Sequence, residues 1–200
     1  MDELLAFVGA GLSDLKTTAA LAPSSETLVR EMTAPLPADA RCVVELGAGT
    51  GVITAALLER LPPDGMLLAF EINPRLAAFV RERLPDPRLT VLSCSAESLG
   101  RELRARGVEH VDAVISSLGL TFMDDALRHA IFDEAVAALR PGGLLTQYLY
   151  LHGSFVPFRK FDDEFQAFPA EEFFGERFSS VERHVVWRNL PPAFIYACRR

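Results

Sequence analysis

The hydrophobic positions of the chain change their spacing repeatedly after residue 41. Short apolar runs, typical of buried strands, alternate with stretches in which apolar residues recur every three or four positions, typical of helices that face a core. Strands that alternate with helices form a parallel sheet covered by helices. The pattern therefore predicts an α/β domain over 41–200. The runs interpreted as strands are 42–46, 66–70, 89–93, 111–115, 143–150, 181–187 and 193–198.

The stretches between these runs carry their own boundary signals. Helical spacing is found over 52–58, 76–84, 99–103 and 127–138. Asn73 followed by Pro74 is typical of a helix start, and the segment 140–143, Arg-Pro-Gly-Gly, is typical of a helix stop. The last two β-like runs are joined closely enough for a hairpin. We therefore expect a mostly parallel seven-stranded sheet that ends in an antiparallel hairpin.

Residues 1–40 precede the first strand and have a different pattern. Apolar residues at helical spacing between Leu4 and Leu15 predict one helix. A second helix is expected to start at Ser24 or Ser25, where a serine caps the helix and Glu26 suits its positive end. We interpret 1–40 as an N-terminal helical extension of the domain at 41–200.

The composition of the 200 residues narrows the function classes. Half of the residues are hydrophobic and 24% are charged, which excludes disorder as the main state. The formal net charge of -7 does not suit a nucleic-acid partner. The four histidines are isolated and the three cysteines form no CxxC pair, so no metal site is expected. Asp2 and Glu3 stand where a signal peptide would be basic, which favours a cytoplasmic location.

The segment ELGAGTG at 45–51 carries the most chemical information. It joins a predicted strand to a predicted helix, and alternating glycines let the backbone turn sharply and approach a nucleotide-like ligand. Glu71 ends the second predicted strand, where a carboxylate accepts hydrogen bonds from both hydroxyls of a ribose. The two features together predict a site for a nucleoside-containing cofactor.

Two cofactor classes use this layout, and the glycine spacing separates them. Dinucleotide sites have the spacing G-x-G-x-x-G, which seats a pyrophosphate, whereas this loop reads G-x-G-x-G with Glu45 ahead of it. A carboxylate there repels a pyrophosphate and attracts the cationic amino-acid end of S-adenosylmethionine. S-adenosylmethionine is therefore the predicted cofactor. Contact with its adenine is assigned to either Ser95 or Glu97, after the third strand.

Several further segments resemble the bacterial phospholipid N-methyltransferase family, over residues 16–200. They include SSLGL at 116–120, Gln147 and Tyr150 after the RPGG segment, and WRNLPPA at 187–193. The resemblance implies a Rossmann-like class I methyltransferase fold. It also implies stepwise methylation of phosphatidylethanolamine toward phosphatidylcholine, or of a related lipid amine, by an enzyme at the inner face of the membrane. The N-terminal extension would then cover the cofactor and touch the bilayer.

These arguments together assign a set of site residues. The expected cofactor-binding residues are Glu45, Gly47, Ala48, Gly49, Thr50, Gly51, Glu71, Ile72, Asn73, Ser95, Ala96, Glu97 and Ser116. The expected catalytic residues are Tyr148, Tyr150 and His152, and the expected substrate-binding residues are Ser117, Leu118 and Arg188. Tyr148 and Tyr150 alternate along one strand and so share a face, and Arg188 suits a lipid phosphate.

Alternatives stay open at this stage. Eight of the 14 phenylalanines lie between Phe155 and Phe178, and the helical spacing of Phe158, Phe161, Phe165 and Phe168 predicts an amphipathic helix that either packs on the core or receives lipid. Other acceptors are a soluble small molecule or ribosomal RNA. A noncatalytic S-adenosylmethionine-binding membrane protein is the alternative outside enzymes, and a nicotinamide dehydrogenase is the most distant one.

Overall fold

A seven-stranded mixed sheet forms the centre of the molecule. The computed structural model describes residues 25–151, 160–161, 164–165, 168–189 and 191–200. The strands run in the spatial order β3-β2-β1-β4-β5-β9-β8. The first five pair in parallel, and β9 is antiparallel to both β5 and β8. The strands are β1 (Cys42–Leu46), β2 (Met66–Phe70), β3 (Leu89–Leu92), β4 (Val111–Ser116), β5 (Leu139–Tyr150), β8 (Ser180–Val186) and β9 (Ala193–Arg199).

The predicted fold class is confirmed, with small differences at strand ends. β5 begins at Leu139 rather than at residue 143, because Leu139 pairs with Val111 before the register shifts. The strand then passes Gly142, whose φ of 72° suits glycine. β8 ends at Val186, so Trp187 lies in the turn and not in the strand as expected.

The helices begin where the sequence places caps. The Ser25 hydroxyl accepts a hydrogen bond from the Leu28 N–H at 3.2 Å, which identifies Ser25 as the N-cap of the first described helix. Asn73 caps the helix after β2 through its side-chain oxygen. The helices are α1 (Glu26–Thr33), α2 (Val52–Arg60), α3 (Pro74–Arg83), α4 (Leu99–Arg104), α5 (Asp125–Ala138) and α6 (Ala170–Gly175).

The described residues form three buried hydrophobic clusters, two large ones and a small one that contains Ala69 and Val80. On one face of the sheet α1 and α2 cover a cluster that contains Leu28, Leu57 and Tyr148. On the other face α4, α5 and α6 cover a cluster that contains Phe132 and Phe174. The apolar stripe expected between residues 4 and 15 lies outside the described residues. No helix in the described part of the chain is long and apolar enough to cross a membrane.

The phenylalanine-rich region differs from the expectation of one amphipathic helix. Phe161 and Phe165 belong to two short strands, β6 (Lys160–Phe161) and β7 (Glu164–Phe165), which pair antiparallel to each other. Phenylalanine is a good strand former, and the spacing of a short apolar run does not separate helix from strand. Further along, Phe173, Phe174 and Phe178 are buried against α5 and β9, so this part of the region is core.

Candidate active site

The strand register places four chain segments at one edge of the sheet. Leu46 at the end of β1 is level with Phe70 in β2 and with Ser116 in β4, and Ser116 is level with Gln147 in β5. Ligands of open α/β sheets bind at this carboxyl edge. The glycine loop, Glu71, the SSLGL segment and the tyrosines of β5 therefore meet at one place.

The glycine loop is folded back over the end of β2. The N–H groups of Gly47 and Ala48 both donate to the carbonyl of Phe70, at 2.8 and 3.0 Å. Gly47, Gly49 and Gly51 have φ values of 85°, 54° and 81°, which glycine adopts without strain. A Cβ on Gly47 would lie 2.9 Å from the Ser117 hydroxyl, whereas a Cβ on Gly49 would meet nothing within 4 Å. The loop thus leaves open space beside Gly49. A residue other than glycine would be strained at these positive φ values.

Glu71 holds the loop from the neighbouring strand. One of its carboxylate oxygens accepts the N–H of Gly49 at 2.7 Å, and the other accepts the N–H of Asn73 at 2.8 Å. The side chain is almost buried. Each carboxylate oxygen has two lone-pair sites, so both retain acceptor capacity for the hydroxyls of a ribose. Glu71 therefore also fixes the conformation of the glycine loop, and the sequence spacing did not predict this role.

Glu45 lies beneath the loop and is fully buried. Its Oε2 accepts the Thr54 hydroxyl of α2 at 2.7 Å, and its Oε1 has no hydrogen-bond partner among the described residues. Burial raises the pKa of Glu45 to about 8, which the hydrogen bond from Thr54 opposes and the nearby charge of Glu71 reinforces. Glu45 is therefore mostly protonated near pH 7, and its carboxyl group is buried instead of lying at the surface of the loop.

The predicted adenine-contacting residues occupy a short turn after β3. The Ser95 hydroxyl donates to a Glu97 carboxylate oxygen at 2.9 Å and caps the 3-10 turn Ala96–Ser98. Ala96 is buried, and Ile72 after β2 is 62% exposed. The structure brings both Ser95 and Glu97 to the carboxyl edge, and the assignment of adenine contact between them stays a prediction.

The segment after β4 braces the glycine loop. The Ser117 hydroxyl donates to the carbonyl of Gly47, and the Ser117 N–H donates to the carbonyl of Leu46 at 2.9 Å. Ser116 is buried, and Leu118 is half-buried with its carbonyl facing β5. The expected substrate contacts of Ser117 and Leu118 stay predictions, and the observed role of Ser117 is to tie two loops together.

The tyrosines of β5 share a face, as their alternation predicts. The rings of Tyr148 and Tyr150 lie edge to face with centroids 5.2 Å apart. Tyr148 is 7% exposed and belongs to the core beneath α1, while Tyr150 is half-buried at the end of the strand. Gln147 is level with the edge, so Tyr150 extends about 10 Å beyond it at roughly 3.3 Å per residue. The two residues are therefore not equivalent, because only Tyr150 stands out from the core.

The WRNLPPA segment forms the turn between β8 and β9, next to Tyr150. Ala193 pairs with Tyr150 on one side and with Val186 on the other. Arg188 is exposed in this turn. Asn189 is buried, and its side chain accepts the Ser25 N–H at 3.3 Å and donates to the Pro191 carbonyl at 2.7 Å. His152, the third predicted catalytic residue, lies outside the described residues.

Three polar residues that were not among the predicted site residues hold the site in shape. Thr54 bonds the buried Glu45, Gln147 donates from its amide to the Leu118 carbonyl at 3.0 Å, and Asn189 joins the last turn to the start of α1. An asparagine just before Leu-Pro-Pro is a turn signal that points to Asn189. Gln147 lies inside the apolar run 143–150, which was a signal for burial, whereas nothing in the local sequence distinguishes Thr54 from a solvent-facing residue.

The donor set fits S-adenosylmethionine. The open space at Gly49, the remaining lone pairs of Glu71 and the unpaired oxygen of Glu45 offer a close approach to the backbone, ribose acceptors and one further buried acceptor. A dinucleotide pyrophosphate would meet the buried carboxylate of Glu71 here, which is unfavourable. The site and the sheet order together define a methyltransferase.

The comparison with known proteins agrees with this class. The methyltransferase domain family matches residues 43–143. The chain belongs to the class I methyltransferases that use S-adenosylmethionine.

Curated relatives differ in the length over which they match. The chain is 33% identical to an ornithine lipid N-methyltransferase of Singulisphaera acidiphila over 201 aligned residues, which cover 100% of this chain and 97% of that protein. It is 41% identical to the ribosomal RNA small subunit methyltransferase H of Aromatoleum aromaticum over 86 residues, which cover 42% of this chain and 27% of that protein.

Solved structures share the fold. An O-methyltransferase of Bacillus cereus in complex with S-adenosylhomocysteine aligns with a TM-score of 0.71 at 17% identity, covering 96% of this chain and 90% of the other. A didemethyltoxoflavin N1-methyltransferase of Burkholderia thailandensis, also with S-adenosylhomocysteine, aligns with a TM-score of 0.68 at 19% identity, covering 100% and 89%. At these identities the likeness concerns the fold.

Proposed function

We propose that this methyltransferase transfers methyl groups to the amine of a lipid headgroup, with phosphatidylethanolamine and its methylated derivatives as the first candidates. The likeness to an ornithine lipid N-methyltransferase over the whole chain carries the proposal, because it includes the segments outside the cofactor-binding half. An ornithine headgroup and an ethanolamine headgroup share an amine. The shared chemistry is therefore an amine at the surface of a lipid.

The acceptor has to reach the site as a neutral amine. A primary amine such as that of lysine has a pKa near 10.4, so removing the proton from its ammonium form at pH 7 costs roughly 4.6 kcal/mol. S-adenosylmethionine supplies a methyl group on a sulfonium, which an amine lone pair accepts. Moving an ammonium out of water lowers its pKa, and the apolar surroundings of Tyr148 and Tyr150 favour this change. The tyrosine rings also offer faces that stabilise methylated, cationic products.

We assign the remaining residues the roles that the sequence predicts. Tyr150 lies at the edge where acceptor and cofactor meet, and His152, two residues further along, is the proposed proton acceptor. Arg188 is exposed in the turn that leads to Ala193, the partner of Tyr150, and its planar guanidinium suits a lipid phosphate. Residues 1–40 are proposed as an N-terminal extension that covers the cofactor, and Ser25, the N-cap of α1, ties its described part to Asn189 in the β8–β9 turn.

The deciding experiment offers several acceptors to the purified full chain. Radiolabelled S-adenosylmethionine is incubated with phosphatidylethanolamine, an ornithine lipid or total RNA, and the products are separated by chromatography. We expect label in mono- and dimethylated lipid, and less label at the same low S-adenosylmethionine concentration when Glu71→Ala replaces the unmodified chain. Label in RNA alone would contradict the proposal and indicate that the protein is an RNA methyltransferase. Cofactor binding by calorimetry without label in any acceptor would favour a noncatalytic binding protein.

A further inference from the structure

The exposed large apolar side chains of the described residues share one location. They are Ile72, Phe122 and Trp187, with exposed fractions of 62%, 48% and 71%. Ile72 follows Glu71 at the end of β2, and Phe122 ends the 3-10 turn Leu120–Phe122 after β4. Trp187 follows β8 in the turn beside Tyr150. All three therefore lie at the carboxyl edge that holds the candidate active site.

Trp187 follows a strand that extends beyond the ends of β1 and β2. Val186 is level with Ala193, and Ala193 is level with Tyr150, which itself lies three residues beyond Gln147 at the edge. At roughly 3.3 Å per residue, the turn that carries Trp187 extends more than about 10 Å past the ends of β1 and β2. Among the described strand ends, this turn therefore projects furthest in the direction from which a flat surface would approach the active site.

The turn holds Trp187 outward by bonds that do not involve its ring. Asn189, two residues on, is buried and bonds both the Ser25 N–H and the Pro191 carbonyl. Arg188 stands beside Trp187 and is exposed as well. An amphipathic indole next to a guanidinium suits the headgroup level of a bilayer, where tryptophan is enriched and arginine meets phosphate.

We propose that Trp187 is a membrane anchor that inserts at the bilayer interface and sets the active-site edge, with Ile72 and Phe122, against the lipid surface. This inference rests on the proposed lipid acceptor and deepens it. A protein partner seated on the same residues would close the edge through which the acceptor enters. A bilayer on the same edge delivers the acceptor instead.

The chain's single tryptophan makes the test direct. The full chain is mixed with vesicles of phosphatidylethanolamine and phosphatidylglycerol, and tryptophan emission is recorded with lipids brominated at different depths along the acyl chain. We expect a blue shift, and quenching strongest for bromine nearest the headgroup. Unchanged emission on vesicles that do sediment the protein would overturn the inference, as would quenching strongest at the bilayer centre.

Variants separate anchoring from catalysis. Trp187→Ala is expected to lower vesicle affinity about tenfold, which corresponds to about 1.4 kcal/mol. Its rate on a short-chain, monomeric phosphatidylethanolamine should stay unchanged. Pro63→Ser alters an exposed apolar residue in the connection before β2, at the opposite edge of the sheet, and should leave vesicle affinity unchanged. Equal vesicle affinity of Trp187→Ala and the unmodified chain would overturn the inference.

The outcomes for anchoring and for lipid methylation are distinguishable. A blue shift without methylation of any lipid would leave the anchor standing and reject the lipid acceptor. Methylated lipid without a change in emission would support the acceptor and reject the anchor. A partner protein could prevent the quenching of Trp187 by brominated lipids and leave the methylation rate on monomeric lipid unchanged. This result would show that the surface around Trp187 binds a protein, and it would reject the anchor.

Discussion

The cofactor half and the acceptor half of the active-site edge are built in opposite ways. We define the cofactor half as residues 45–51 and 71–73, and the acceptor half as residues 147–150 and 188–193 with the start of α1. In the cofactor half the carboxyl groups of Glu45 and Glu71 are buried beside a loop held by backbone hydrogen bonds. In the acceptor half the buried surface around Tyr148 is apolar, and the charged Arg188 is exposed.

This difference follows from the ligands that each half is proposed to hold. A ribose and an ammonium need fixed acceptors and negative charge, so the cofactor half retains polar groups that burial makes costly. A lipid amine has to lose its proton and its water, so apolar walls serve the acceptor half better. Substitutions in the two halves should therefore change different measured quantities, namely stability and cofactor affinity in one half and turnover and lipid affinity in the other.

The largest effect is expected from Glu45→Gln on the pH dependence of stability. Burial raises the pKa of Glu45 from 4.5 to about 8, so the folded protein retains a proton that the unfolded chain releases. The free energy of unfolding therefore falls as pH rises from about 4.5 to about 8, and this contribution is constant above that range. At pH 9 Glu45→Gln should be more stable than the unmodified chain by an amount on the order of a few kcal/mol.

Urea unfolding of the ligand-free protein between pH 5 and pH 9 measures this difference. Thr146→Val in β5 is the matched control, because the Thr146 hydroxyl is buried without a hydrogen-bond partner among the described residues but does not titrate. Its effect on stability should be the same at every pH. A difference between Glu45→Gln and the unmodified chain that is constant from pH 5 to pH 9 would contradict a raised pKa at Glu45.

The next largest effect is expected from Glu71→Ala on cofactor affinity. Charge-assisted hydrogen bonds contribute about 1.5–3 kcal/mol each, and about 1.4 kcal/mol corresponds to a factor of ten. Loss of the ribose acceptor and of the bond to the Gly49 N–H should weaken S-adenosylmethionine at least tenfold by calorimetry. Glu82→Ala, on an exposed position of α3, serves as control and should bind normally. Equal affinity of Glu71→Ala and the unmodified chain, or tight binding of NADH, would reject the cofactor assignment.

Tyr150→Phe should lower turnover without changing cofactor affinity. A hydrogen bond from the Tyr150 hydroxyl to the acceptor is worth up to about 1.5 kcal/mol, so we expect turnover on the best lipid to fall about tenfold. Tyr196→Phe is the control, because Tyr196 lies in β9 on the opposite face of the sheet. The measurement is steady-state turnover together with S-adenosylmethionine calorimetry. Full activity of Tyr150→Phe would mean that only the ring, or another residue, takes part.

The smallest effect is expected from Arg188→Ala on lipid affinity. A basic residue near an anionic lipid surface contributes about 1 kcal/mol, so the half-saturating concentration of phosphatidylethanolamine should rise about fivefold with turnover unchanged. A long-chain alkylamine, which has no phosphate, should be affected less. Arg104→Ala, an exposed arginine at the end of α4, should have no effect on either acceptor. Equal effects of Arg188→Ala on both acceptors would contradict the proposed contact between Arg188 and the lipid phosphate.

Local sequence determined most of the sheet and the cofactor half. The alternation of apolar runs with helical spacing predicts seven strands that the structure contains, and the glycine loop and Glu71 are joined because consecutive parallel strands end at the same edge. Serine and asparagine caps fixed the starts of α1 and α3 through bonds to residues two or three positions away. Interactions between residues only two or three positions apart can be predicted from the local sequence.

Only the tertiary structure decided the contacts between distant segments. The bond between Ser25 and Asn189 joins residues 164 positions apart, and the burial of Glu45 against Thr54, which raises the pKa of Glu45 to about 8, depends on how α2 packs on β1. The alternation predicted that Tyr148 and Tyr150 share one face of the sheet. Only the packing of α1 over Tyr148 decided that Tyr148 is buried in the core while Tyr150 is half-buried at the edge. Burial and long-range pairing depend on the whole packed chain, so no local pattern specifies them.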